Sequence, residues 1–372
     1  MAEKKIIKPQ PGPQTDFLSS DADIVIYGGA GGGGKTFALL LDSIRHYAHK
    51  EVSAICFRRT YPEIVGGGGL WDTSQTLFPL LNAQPNGLNW IFPSGYKYQF
   101  SHMQHEKDRF KHQGNQYAVI HFDELTHFTE KQFWYLVSRN RSVSGVKPYI
   151  RATCNPDPDS FVRDLVDWWI GDDGFPVKDR AGVKRYFLRE DDSLKWFDTR
   201  DGALEYARKR DESLTEAIKS LTFIPASLED NKILMEKDPS YKANLLSLDR
   251  VTRGQLLDGN WDIKGAKGDV FKREDFQILR NVPEPIKKAV RYYDRASTEP
   301  NEKNKNPDWT AGLLMGVGES GKYYILDVDR FRAKPGKVKD RIRNIASQDK
   351  EKYSGYEIWL EKDPGQAGVA EI

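Results

Sequence analysis

Cysteine is almost missing: there are two in 372 residues, Cys56 and Cys154. Both lie inside apolar, strand-like runs. That excludes a disulfide framework and reads as buried thiols in a reducing compartment. Excess charge is missing too. Lys and Arg number 56 and Asp and Glu 54, for a net charge of +2. The chain is therefore no basic nucleic-acid coat, and any DNA contact must come from a local patch. No apolar run approaches membrane-spanning length, and the N-terminus has no signal-peptide core. Long repeats and low-complexity arrays are absent. These absences lead to the expectation of a soluble cytoplasmic protein, long enough for two cored domains.

What is present centres on Ala22 to His49. Gly29, Ala30, Gly31, Gly32, Gly33, Gly34, Lys35 and Thr36 satisfy G-x-x-x-x-G-K-[ST]. The motif needs a strand before it and a helix after it. Asp23 to Tyr27 reads as a buried strand. Phe37, Leu40, Leu41, Ile44 and Tyr47 then fall at helical spacing. Glycines let the backbone wrap a triphosphate, and the helix start adds its dipole. Lys35 is placed for the β- and γ-phosphates of ATP, and the Thr36 hydroxyl for Mg²⁺. A glycine linker would need neither Gly-Lys-Thr nor this context.

Residues 1–20 are polar and Pro-rich and read as a loosely ordered arm. Val52 to Phe57 is a second strand, running into Arg58 and Arg59, which either touch phosphate or pair with surface acids. Gly66 to Gly69 reads as a mobile loop. Trp90 to Phe100 is a hairpin around Pro-Ser-Gly. His102, His105 and His112 fit no closed zinc site and read as solvated. Tyr117 to Phe122 is a third strand, ending in Asp123-Glu124. This is a Walker B pattern: Asp123 orders Mg²⁺, and Glu124 activates a water as general base. Arg139 and Arg141, after the helical Phe133 to Val137, are candidate charge-stabilising fingers in cis or in trans. Tyr149 to Cys154 is a fourth strand, and Asn155 at its tip is placed to sense the γ-phosphate. Gly171 to Leu221 is dense in charge and reads as solvated helices of a small lid subdomain.

From Gly265 the pattern changes. Ala289 to Tyr293, Trp309 to Met315 and Lys322 to Val328 read as strands. Lys337 to Ile345 reads as a helix and Glu357 to Leu360 as a last strand. Asp294 ends the first of these strands and Glu361 ends the last, with Asp363 close behind. Clustered carboxylates at strand ends can hold two divalent metals for in-line displacement, although acids at strand ends are also ordinary surface chemistry.

The ordered set GGAGGGGKT, FRRTYPE, IHFDELTHF, SRNRS, ATCNP, FIPASLEDN and RGQLLDGNWD resembles the large subunit of phage DNA-packaging terminases over about 340 residues. The resemblance implies an α/β chain with a P-loop (RecA-like) ATPase motor followed by an RNase H-like nuclease. It implies an arm at 1–20, a motor at 21–265 with a lid and linker near 171–265, and a nuclease part at 266–372. Implied partners are double-stranded DNA, the small terminase subunit, the portal protein and the procapsid, around a homo-oligomeric (pentameric) ring in the host cytoplasm. Glu124 is the implied catalytic glutamate, and Thr153 to Pro156 the implied coupling motif. Asp294 and either Glu361 or Asp363 are the implied nuclease ligands for Mg²⁺ or Mn²⁺, with Glu361 favoured because it ends its strand directly. Two departures stand out. Gly32-Gly33 replaces a bulkier residue of many relatives and is expected to loosen the empty loop. The family's third nuclease acid has no counterpart before Ile372. The expectation is an ATPase with little DNA cleavage, whose second domain is the less stable and exposes strands such as Tyr323 to Leu326. A helicase or remodeller, and a slow nucleotide-gated binding module, are the competing readings.

Overall fold

The computed structural model describes residues 7–264, 275–296, 299 and 307–360. The chain divides into two compact units, residues 1–269 and 270–372.

In the first unit, α1 (Pro13–Ser19) precedes β1 (Ile24–Gly29) and α2 (Lys35–Ser43). The strands that follow are β2 (Ser53–Arg58), β3 (Gln84–Asn86), β4 (Asn89–Ile91), β5 (Lys97–His102) and β6 (Val119–Phe122). After them come β7 (Tyr149–Cys154), β8 (Arg185–Glu190), β9 (Ser193–Phe197) and β10 (Lys219–Ala226). Among the described residues they form one ten-stranded sheet, in the order β3-β4-β5-β2-β6-β7-β1-β10-β8-β9. The six central strands, β5 to β10 in that order, run parallel.

Parallel strands are covered on both faces, so they read as continuous apolar runs rather than alternating ones. Val25, Tyr27 and Cys56 pack with Phe17 of α1 and Leu39 and Leu40 of α2 on one face. Ile24, Ile26, Ile55, Phe57 and Ile120 pack with Phe133, Val162, Trp169 and Trp261 on the other. Both cysteines are free and buried.

Three local expectations change. Residues 13–19 are not loose: Phe17 is fully buried and stacks on Tyr27 with ring centroids 5.3 Å apart. α2 stops at Ser43, and Tyr47 lies exposed beyond it. The charged stretch after Gly171 is only partly helical, with one α-helix at Arg200–Arg210. It contributes the β8–β9 hairpin, and β8 joins the main sheet antiparallel to β10. Phe187 and Leu188 carried the strand signal, at 1% exposure each, but charge on either side of them hid it. The glycines at 66–69 form a turn closed by Gly66 N–H to Pro62 O, 2.8 Å, and Gly69 N–H to Gly66 O, 2.9 Å.

In the second unit, β11 (Ile286–Asp294), β12 (Thr310–Gly318), β13 (Tyr323–Phe331) and β14 (Tyr356–Leu360) form a sheet in the order β13-β12-β11-β14. The first three are antiparallel neighbours, and β14 returns parallel to β11 through the helix Pro335–Lys352. Tyr293, Phe331, Val338 and Ile342 make a small core under that helix. Arg291, 1% exposed, lies in the same layer and bonds Asp349 at 2.6 Å and Asp327 at 2.7 Å.

Candidate functional site

The C-terminal ends of the parallel strands gather the predicted motor residues. The loop after β1 needs its glycines for specific reasons. Gly29, Gly32 and Gly34 have φ of 138°, 75° and 75°, a region that penalises any Cβ. A Cβ on Gly32 would lie 2.6 Å from the Tyr241 ring, and one on Gly29 would lie 2.2 Å from Ala226 O. Three side chains hold the carbonyls of the loop's glycines. Gln14 Nε2 donates to Gly34 O (3.0 Å), Asn231 Nδ2 to Gly32 O (2.7 Å), and Tyr27 hydroxyl to Gly33 O (3.2 Å). Gln10 Nε2 in turn donates to Asn231 Oδ1 at 2.8 Å. Glycine at Gly32 admits the close approach of Tyr241 and Leu228.

Lys35 is buried, and its ammonium donates to Gly29 O (3.0 Å) and Ala30 O (2.5 Å). Burial pushes its pKa down, opposed by the charges of Glu124, Cys154 and Asp123. The Gly31 N–H donates to Leu256 O at 2.6 Å. That carbonyl belongs to the helix Arg250–Leu256, so the segment after β10 contacts the loop directly.

Asp123 is the hub. Its Oδ1 accepts from Thr36 Oγ1 at 3.2 Å and from Thr153 Oγ1 at 2.6 Å; its Oδ2 accepts from Arg58 Nη1 at 2.7 Å. Glu124 has φ 58°, a left-handed conformation that costs a non-glycine residue about 1–2 kcal/mol. Its backbone N–H donates to Thr153 Oγ1 (3.2 Å). Its two carboxylate oxygens accept from Asn155, from the N–H at 3.0 Å and from Nδ2 at 2.9 Å. Asn155 Oδ1 is buried without a partner. Thr36, Asp123, Glu124 and Asn155 are thus one connected cluster.

Arg139 and Arg141 are elsewhere. The Arg139 carbonyl accepts from Tyr117 N–H at 3.0 Å, and Asn140 bonds the carbonyls of Tyr117, Ala118 and Tyr149. Those residues open β6 and β7, whereas Asp123 follows the far end of β6. At ~3.3 Å per strand residue the separation is about 20 Å, so neither arginine reaches the carboxylates of its own chain. The Arg139 guanidinium lies 5.1 Å from the Tyr135 ring centroid, and Arg141 is exposed.

Sequence reasoning missed a buried network behind the loop. Asp42 of α2 accepts from His121 Nε2 and from the Tyr149 hydroxyl, both at 3.0 Å. His121 Nδ1 faces the Tyr98 hydroxyl at 2.7 Å. Burial holds the His121 imidazole below its usual pKa against the pull of Asp42. The network ties the helix carrying Lys35 and Thr36 to the strand carrying Asp123. A polar residue in mid-strand, His121, was the available signal. His112 also differs from expectation: it is buried, 2.9 Å from the Tyr117 hydroxyl and edge-on to Phe57. Among the described residues, no group of three or more His, Cys, Asp or Glu is arranged around a common metal position. Asp294 ends β11 exposed, and Glu361 and Asp363 lie outside the described residues.

No helix of the described residues is long and apolar enough to cross a membrane. Residues 26–278 match the terminase large subunit family, T4likevirus-type, N-terminal part. The large terminase of a thermophilic bacteriophage overlaps 97% of this chain and 79% of its own, at 14% identity and TM-score 0.47. The complex of that terminase with ATP-γ-S overlaps 94% and 77%, at 17% identity and TM-score 0.42. The bacteriophage HK97 large terminase overlaps 96% and 71%, at 13% identity and TM-score 0.37. No curated protein matches the sequence. The assignment rests on the span 26–278, more than half of the chain, which places this protein in the family of phage terminase large subunits, the ATPases that drive viral DNA packaging.

Proposed function

We propose that the cluster at the strand ends is the hydrolytic site of the packaging motor, with Lys35 binding the β- and γ-phosphates and Glu124 acting as general base. The observation that carries this is the junction of loop and strand: Thr36 Oγ1 and Asp123 Oδ1 stand 3.2 Å apart beside the Glu124–Asn155 pair. Two hard oxygen donors on adjoining elements suit Mg²⁺, which keeps several waters and takes few protein ligands. Thr36 and Asp123 would hold it. When bound it neutralises charge building on the phosphates. Glu124 takes the proton of the attacking water. Each of its oxygens keeps a second lone pair beside the bond from Asn155, so Glu124 can take that proton in place; protonation weakens the two bonds and so links hydrolysis to β7. Lys35→Ala is expected to abolish nucleotide binding and turnover. Glu124→Gln is expected to keep binding and lose turnover, and near wild-type hydrolysis in that variant would remove the base assignment.

Arg139 or Arg141 then serves a neighbouring subunit, in a ring on double-stranded DNA with portal protein, small subunit and procapsid as partners. Mixing Lys35→Ala chains with Arg139→Ala chains is expected to restore some activity, and the same test applies to Arg141. No recovery with either, given confirmed assembly, would remove the finger role. ATPase activity with and without linear duplex DNA separates the motor from a slow binding module. A forked duplex tests strand separation. In the second unit, Asp294 at the end of β11 supports a metal-dependent nuclease site, with Glu361 or Asp363 as its partner acid. Plasmid incubated with Mn²⁺ tests it: cleavage lost in Asp294→Ala marks a working site, and no cleavage by either protein fits the low activity expected from the sequence.

A further inference from the structure

Arg58 ends β2, the neighbour of β6, and the ladder sets it beside the catalytic acids. Phe57 pairs with Phe122, and Asp123 N–H donates to Phe57 O at 2.9 Å. From there the Arg58 guanidinium reaches Asp123 Oδ2 at 2.7 Å and stands 4.0 Å from Glu124 Oε1. Its Nε is buried without a hydrogen-bond partner and 3.9 Å from Glu63 Oε2. Among the described residues it is the one guanidinium within 4.0 Å of either acid. The other cations nearby are committed. Lys35 is on the loop carbonyls, Arg59 is on Met103 O (3.1 Å) and Gln132 Oε1 (2.9 Å), and Arg139 and Arg141 are at the other end of the sheet. The loop itself contains no arginine.

We propose that Arg58 is a positioning residue that serves as internal counter-cation of the ATPase site: it neutralises Asp123 and steadies Glu124 in the nucleotide-free motor, and yields Asp123 when a divalent cation arrives with nucleotide. The inference rests on the ATPase-site reading given above. Arg58 on Oδ2 and a divalent ion on Oδ1 would share the single charge of one carboxylate, so each weakens the other's hold on Asp123. A guanidinium released there is an own-chain positive charge near the place where phosphate charge develops, whereas Arg139 and Arg141 of the same chain close the far end of β6. The spare Nε gives the side chain an unused donor for a second position.

The test reads Mg²⁺ linkage rather than turnover alone. Binding of a fluorescent ADP analogue is titrated with Mg²⁺ in wild-type, Arg58→Gln and Arg58→Lys protein. Arg58→Gln keeps a hydrogen-bonding side chain and removes the charge. Its half-saturating Mg²⁺ concentration is expected to fall by about tenfold or more, the scale of one hydrogen bond to a charged group. Its kcat at saturating Mg²⁺ is expected to fall by about tenfold or more, because Glu124 loses the charge that steadies it. Arg58→Lys keeps a cation of different reach and is expected to fall between the two in Mg²⁺ requirement. It decides the matter if Arg58→Gln does not fold. A merely structural arginine would leave the Mg²⁺ requirement unchanged or raise it, and either result overturns the proposal. So does a kcat within tenfold of wild type. Wild-type protein that binds nucleotide without any Mg²⁺ dependence would instead remove the site reading on which the inference stands.

Discussion

The two units bury their sheets differently. The motor sheet is sandwiched: Phe17, Leu39 and Leu40 cover one face, and Phe133, Trp169 and Trp261 cover the other. Among the described residues, the second sheet is covered on one face by the helix Pro335–Lys352, with a cluster of four buried side chains. On its other face Val328, Leu313, Tyr292 and Trp359 line up across β13, β12, β11 and β14 in register. Of these, Val328, Tyr292 and Trp359 are exposed. Tyr323 and Ile325 are exposed as well. One-sided burial leaves the second unit to depend on polar ties. Arg291 with Asp349 and Asp327, Tyr293 with Asp329 (3.2 Å) and Arg341 with Asp329 (2.6 Å) fill the layer that apolar side chains fill in the motor. Apolar packing tolerates small shifts, whereas a buried charge without its partner does not.

Two tryptophans and an arginine sharpen this contrast. Trp261 is fully buried against Phe223, with ring centroids 5.6 Å apart. Trp261→Ala is expected to destabilise the motor by about 3–5 kcal/mol, read as a drop in its denaturant midpoint. Arg291→Ala leaves Asp349 buried without its cation. It is expected to cost the second unit about 3 kcal/mol or more, seen as proteolysis of that unit while ATPase activity persists. If the motor transition moves with it, the two units are not energetically separate.

Acid offers a smaller, one-sided perturbation, since all seven histidines lie in the first unit. Burial among Phe57 and Tyr117 lowers His112 from 6.5 to about 4. The unfolded chain therefore binds a proton between those values that the folded one does not. The stability is complete above pH 6.5 and is lost as pH falls towards 4, by up to about 2 kcal/mol. His121, also lowered, adds in the same direction. Urea unfolding at pH 7 and pH 4.5 is expected to show a motor-specific loss, reduced in His112→Asn; an equal loss in both units would remove this cause. The smallest effect is expected from Trp359→Ala, in which an exposed aromatic is removed for about 0.5 kcal/mol or less. A larger cost would mean that this face is covered in solution.

Much of the motor was legible because its signals are local. β7 was bounded to the residue, closed by Asn155-Pro156, and the loop by glycine, lysine and threonine at fixed spacing. Walker B was legible for the same reason. The β8–β9 hairpin was not, because its apolar residues are few and its neighbours charged; pairing with β10 decides it. The buried arm was not legible either, since Phe17 acquires its meaning only from Tyr27. Among site residues, Gln14, Asn231 and Tyr241 contact the loop from positions that no local spacing could connect.

By itself, the sequence determined the kind of chemistry: which residues can bind phosphate, order a metal and take a proton, and that two separate α/β units follow one another. Tertiary structure alone decided the charges' allegiances. Arg58 belongs to Asp123 because β2 lies beside β6, and Arg139 and Arg141 are about 20 Å from that acid because they close the opposite end of β6. Residue type and spacing set what a side chain can do. Strand order and strand direction set what lies within hydrogen-bond reach, and electrostatic roles fall steeply over the few ångströms that this ordering controls.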